Sequence, residues 1–144
     1  IWKMSLRVIK NGILMKDRFV TDTMALVLRL EKRKAPLKVK DIFSKAEADE
    51  IDLFIPSMVL AEIGYLSEKD RIDTNIESAL SYAAYLNNVS IDPLTEQIIR
   101  AAFAIQDIPE LHDRIIAASA SFRNAPLITN DPVIMKSQSL QTMW

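Results

Sequence analysis

A chain of 144 residues is the size of one ordinary domain with its own core. Hydrophobic residues make up 49% and charged residues 26%, which excludes a disordered or fibrous protein. No run approaches the roughly 18 uninterrupted apolar residues of a membrane span. Cysteine is absent and His112 is the single histidine, so disulfides, thiolate zinc sites, cysteine nucleophiles and multi-histidine metal centres are excluded. A cysteine-free chain is expected in a reducing cytoplasm. The net charge of −1 conceals an asymmetry: residues 1–45 carry 12 Lys/Arg against 4 Asp/Glu, and the remainder carries 6 against 15. That polarity fits either a cationic surface beside an acidic one or simply a solvated basic helix and linker.

Residues 1–14 alternate too loosely to assign and read as an N-terminal extension or a segment of cloning origin. A domain spanning 15–144 is expected to open at Met15. "RFVT" (18–21) reads as a short buried strand, and 23–33 as a helix stopped before Pro36. A second helix covers 38–48, with Val39, Ile42, Phe43 and Ala46 on one face. "DLFIP" (52–56) is a strand, and Pro56-Ser57 opens a helix to about 68. An amphipathic helix at 74–87 leads to the strand "VSI" (89–91) and a helix at about 94–106. A helix at 110–123 precedes the strand "PLIT" (126–129), a helical turn near 132–137 and a last strand in "LQTMW". Strands alternating with helices at this spacing predict an α/β fold with a parallel sheet covered on both faces. Two glycines and no glycine-rich turn exclude the phosphate-binding and dinucleotide loops.

Four acids sit in unusual surroundings. Glu62 has Met58, Val59, Tyr65 and Leu66 as its helical neighbours, so its carboxylate points along an apolar stripe. Asp22 follows the strand "RFVT" directly, and Asp131 follows "PLITN" in the same strand-end position. Asp113 lies in the first turns of a helix whose inward face is Leu111, Ile115, Ile116 and Ala120. Each has an ordinary alternative: Asp22 as a helix cap, Glu62 reaching solvent, Asp113 as a partner of the helix dipole, Asp131 as a turn residue. In a parallel α/β sheet, however, ligands bind beyond the strand carboxyl ends, where two of the four already stand. If all four converge, like-charge repulsion raises some of their pKa values, and a hard divalent cation such as Mg²⁺ or Mn²⁺ relieves it. An acid-lined metal site without histidine, cysteine or a phosphate loop suits phosphodiester hydrolysis.

In this order the segments resemble those of the PIN-domain family, and within it the VapC-type toxin ribonucleases. "FVTDTMAL" is similar to the first family motif and supplies Asp22; "IPSMVLAEI" is similar to the second and supplies Glu62. "LHDRIIAASA" supplies Asp113 and "LITND" supplies Asp131, so the likeness covers residues 15–144. The resemblance implies a three-layer α/β/α sandwich and Mg²⁺- or Mn²⁺-dependent cleavage of RNA by these four acids. It also implies frequent homodimers and, for toxin members, inhibition by a cognate antitoxin. One position departs: the family often has Ser or Asn two residues after its first Asp, where this chain has Met24. Thr23 and Thr129 remain as polar supports, and Asn130 as an outer partner of Asp131. The alternative is a weakly active PIN-like module that acts by binding protein or RNA.

His112 adjoins Asp113, but adjacent helical residues point about 100° apart, so His112 is expected to be structural or at the rim. Arg114 is expected in solvent. Arg29 to Lys45 carries seven basic residues, expected to line part of the approach to the acids, with Leu37 and Phe43 exposed for an antitoxin helix. An aspartyl phosphatase is set aside because Met24 stands where it needs a second Asp, and a phospho-receiver because no acid pair precedes a strand-end Asp.

Overall fold

The computed structural model describes residues 9–10 and 13–144. In chain order its elements are β1 (Ile9–Lys10), β2 (Ile13–Leu14), β3 (Arg18–Thr21), α1 (Thr23–Leu30), α2 (Leu37–Glu47), β4 (Asp52–Pro56) and α3 (Ser57–Glu68). These are followed by α4 (Ile76–Tyr85), β5 (Val89–Asp92), α5 (Glu96–Ala104), α6 (Leu111–Arg123), β6 (Leu127–Ile128), α7 (Pro132–Met135) and β7 (Thr142–Met143). The short antiparallel pair β1–β2 forms its own small sheet, in the segment that the sequence pattern left unassigned.

The main sheet is five-stranded and parallel throughout, in the order β5-β4-β3-β6-β7. β3 is central, with Val20 in register with Phe54 on one side and Leu127 on the other. From β3 the chain first winds outward through β4 and β5, then returns to the opposite side for β6 and β7. The order therefore reverses between β3 and β6, and a crevice opens beyond their carboxyl ends. Asp22 and Asp131 follow these two strands.

Strands buried on both faces read as apolar runs, and Val20, Leu53, Ile55, Leu127 and Ile128 are fully buried. Helices close over them with Leu26, Val27, Ile42, Val59 and Ile63, and α6 adds Ala117, Ala118 and Ala120, whose small side chains let it pack closely. Buried Asn88 ties three segments together: its amide donates to the Ala46 carbonyl at 2.6 Å and to that of Ile51. Phe43 is 1% exposed, so the expectation of an exposed ring is wrong; it faces the core with Val39, Ile42 and Ala46. Leu37, at 84%, is exposed as expected. No helix among the described residues is long and apolar enough to cross a membrane.

Helix ends are made without glycine. Lys32, Asp49, Asp70 and Asn124 all take positive φ, between 51° and 60°, just past the ends of α1, α2, α3 and α6. In each case the next amide reaches back five residues: Arg33 to Leu28, Glu50 to Lys45, Arg71 to Leu66 and Ala125 to Ala120. These bonds satisfy carbonyls that a helix end leaves open. Asn and Asp tolerate the left-handed region comparatively well, whereas Lys meets the full Cβ clash. Lys32→Gly is therefore expected to stabilise the fold by about 1 kcal/mol, raising Tm by about 4 °C in a thermal melt. An unchanged or lower Tm would mean that the Lys32 side chain contributes more than its strained backbone costs.

Candidate active site

All four acids line one crevice of about 540 Å³, with Thr23, Met24, Leu66, Ile116, Asn130, Pro132 and Ile134 as the other walls. Each arrives on a different element, and the local sequence explains how it is held. Asp22 ends β3 and caps α1, its Oδ1 accepting the Ala25 amide at 2.8 Å. Asp131 caps α7 in the same way, with Oδ1 accepting the amides of Val133 (2.9 Å) and Ile134 (3.2 Å). The ordinary capping role and the place in the crevice thus coexist in the same side chains. Glu62 lies on the second turn of α3 and accepts a hydrogen bond from the Thr23 hydroxyl. Asp113 lies on the first turn of α6, where Glu110 caps the helix by accepting the Asp113 amide at 2.7 Å.

Thr129 joins the two strand-end acids. It is fully buried at the end of β6; its hydroxyl donates to Asp22 and accepts the Asp131 amide at 3.1 Å. Both threonines singled out in the sequence therefore hold site carboxylates in place. Asn130 lines the crevice beside Asp131, and Met24 forms part of its wall, about one-third exposed.

The electrostatics register the crowding. Burial pushes the Asp22 carboxyl up to about 6, helped by the charges of Glu62 and Asp131 and opposed by the hydrogen bonds from Thr129 and Ala25. Burial likewise pushes Asp113 up to about 6, with added repulsion from Glu110, Asp131, Glu62 and Asp22. Glu110 carries no sequence signal beyond its place before the helix, and its closeness to Asp113 emerges only in the fold. The acids do not form a ready-made cage: among the described residues no three acidic or histidine groups are grouped tightly enough to grip one ion. Hard oxygen donors on a loose frame suit Mg²⁺, which takes one or two carboxylates and keeps several waters.

His112 is exposed, with Nδ1 3.1 Å from Glu110, a rim position. Arg114 is half-buried rather than solvated, its guanidinium 5.1 Å over the Phe103 ring. The basic stretch does not line the acids. Arg29, Lys32, Arg33 and Lys40 border a separate groove, floored by Leu28, Leu30, Val39 and Phe43, that shares no lining residue with the crevice. The reason is topological: α1 starts at the crevice with Thr23, and its basic end lies a full helix length away.

A raised carboxyl pKa means that the folded state binds its proton more tightly than the unfolded chain. The stability from Asp22 and Asp113 is thus fully present below about pH 4 and is lost as pH rises through about 6. Asp22→Asn removes one such charge and keeps a good cap. In metal-free buffer at pH 7.5 it is expected to gain about 1–2 kcal/mol after allowance for solvent screening, melting about 3–6 °C above the wild type. The gap is expected to close at pH 4; a variant that melts lower at pH 7.5 would show that repulsion is not the governing term.

The PIN domain family model matches residues 19–136, a span that contains all four acids. No curated protein matches the chain by sequence. Among solved structures, the chain is similar to one in a VapBC complex of Rickettsia felis bound to a DNA fragment from its promoter. The TM-score is 0.66 and the identity 20%, over 88% of this chain and 98% of that one. A DNA-bound VapBC of Salmonella typhimurium gives a TM-score of 0.65 at 16% identity, over 88% and 97%. A sarcin-ricin-loop-cleaving VapC toxin of Mycobacterium tuberculosis gives 0.58 at 13%, over 85% and 98%. At these identities the likeness is one of fold, a parallel sheet between helical layers. With a family match that covers most of its length and an α/β/α sheet of the same kind, the chain belongs to the PIN domain family.

Proposed function

We propose that the protein is a metal-dependent endoribonuclease, the toxin of a toxin–antitoxin pair, in which Asp22, Glu62, Asp113 and Asp131 hold Mg²⁺ or Mn²⁺ and cleave RNA phosphodiester bonds. The observation that carries this reading is the meeting of four carboxylates at the sheet's switch point, two of them held near pKa 6 by burial and mutual repulsion. Such a cluster lacks positive charge, and a divalent cation supplies it. When bound, the ion provides an activated water and neutralises charge on the phosphate. The chain's own residues do the rest. The caps fix Asp22 and Asp131, Thr23 orients Glu62, and Met24, Leu66, Ile116 and Ile134 limit water at the walls. The Asp113 side chain accepts no hydrogen bond from the described residues, so it is the acid freest to take a proton from the attacking water.

Several observations support the partners. The similar structures named above include toxin–antitoxin complexes, which favours an antitoxin for this chain as well. The groove between α1 and α2, basic at its rim and apolar at its floor, suits an acidic amphipathic helix of such a partner. The family resemblance further supports a homodimer that works in the cytoplasm. Met24 favours a second reading, a weakly active module that acts by binding, because it fills a position where the family often has Ser or Asn.

The purified protein is expected to cleave RNA with Mg²⁺ or Mn²⁺ and to stop in EDTA. Asp113→Asn is expected to lower the rate by about 10²-fold or more, with no loss of Tm. Mg²⁺ is expected to raise the wild-type Tm more than that of the variant. Full cleavage by Asp113→Asn, or cleavage in EDTA, would overturn the assignment. No cleavage by the wild type, with RNA still bound, would favour the binding module.

A further inference from the structure

We infer that Tyr65 on α3 and Lys69 at its C-terminal cap form a platform for an unpaired RNA nucleotide beside the crevice, the ring stacking the base and the ammonium pairing a neighbouring phosphate. The inference takes its ligand from the nuclease reading above and adds where the RNA is gripped. Its ground is the geometry of α3. Tyr65 lies three residues beyond Glu62, and Lys69, at the helix cap, lies seven beyond it. Helical periodicity therefore sets both next to the stripe of Glu62 and Leu66, which line the crevice wall, while Tyr65 and Lys69 lie outside that lining. The sequence pattern makes Tyr65 part of a buried stripe, yet the residue is 57% exposed, so packing does not account for it. The Lys69 ammonium lies 5.5 Å from the centre of that ring, and neither Glu68 nor Asp70 pairs with it among the described residues.

Charge complementarity points to the occupant. An acidic crevice repels a phosphate backbone, and the basic stretch of α1 and α2 borders a different groove. Beyond residue 45 the cations are Lys69, Arg71, Arg100, Arg114, Arg123 and Lys136; of these Arg123 is paired with Asp92 and the Arg114 guanidinium lies over the Phe103 ring. Among the described residues Lys69 is held by an exposed aromatic face, a weak contact that a stacking base outcompetes while the freed ammonium turns to the phosphate. A base inside a duplex has both faces covered, so the platform selects unpaired nucleotides.

The test is fluorescence anisotropy in EDTA with a labelled single-stranded RNA of about 12 nucleotides, against the same strand annealed to its complement. The wild type is expected to prefer the single strand. Tyr65→Ala is expected to weaken that binding about tenfold, and Tyr65→Phe to restore it. Lys69→Gln is expected to flatten the salt dependence by about 0.7 in log–log slope. Equal melting temperatures guard against misfolding, which the exposure of both side chains makes a small risk. Unchanged single-strand affinity in Tyr65→Ala overturns the platform, as does an equal preference for the duplex. So does a shift in oligomeric state with no effect on RNA, which would make the ring a protein contact. A separate cleavage assay of the wild type with Mg²⁺ keeps the two readings apart: cleavage with a silent Tyr65→Ala sinks only the platform. Conversely, binding that depends on Tyr65 without any cleavage sinks only the nuclease.

Discussion

Mutually repelling carboxylates at the point where the sheet reverses direction are the constraint around which the rest of this molecule is arranged. Four acids in one crevice are unfavourable on two counts, lost hydration and like charge, and both act on Asp22 and Asp113 in the same direction. Something must hold them together against that tendency. The fold does so with backbone: Asp22 and Asp131 are each locked to the first amides of a helix, and those amides bring partial positive charge with them. The hydroxyls of Thr23 and Thr129 complete the restraint from within the core.

The arrangement explains why capping a helix and lining the crevice need not compete. A carboxylate has lone pairs for more than one partner, so an aspartate can close a helix and still face a ligand. Placing caps at the ends of β3 and β6, the two strands flanking the reversal, makes the helix starts and the crevice floor the same piece of structure. Glu62 comes from the second turn of α3 and Asp113 from the first turn of α6, and their reach depends on how α3 and α6 cross the sheet. The alanine-rich face of α6 allows the close packing that brings Asp113 to the crevice.

The remainder of the chain separates charge in space. The basic end of α1 and the start of α2 lie away from the acids, forming a groove whose Arg29 is tied to Glu47 and, through it, to Tyr82 on α4. Cations at a distance from the crevice do not neutralise it, so the repulsion among its carboxylates persists.

The sequence by itself determined the order and type of the elements from β3 onward, because strands buried on both faces and helices with one apolar stripe leave different periodicities. It also determined which four acids to consider, since a carboxylate among apolar neighbours or at a strand end stands out without any partner in view. Helix ends were less legible: α1 stops at Leu30 rather than Arg33, because a lysine in the left-handed region, with no glycine to announce it, closes the turn. Tertiary structure decided everything that depends on direction in space. The spacing of Phe43 fits an exposed face and a buried one equally, and only the packing of α2 onto the core buries its ring. Nearness in sequence put the basic stretch beside Asp22, whereas the length of α1 carries it away. Glu110, the Thr23–Glu62 contact and the exposure of Tyr65 arise from pairs of elements meeting, and a one-dimensional pattern records what faces inward but not what it faces.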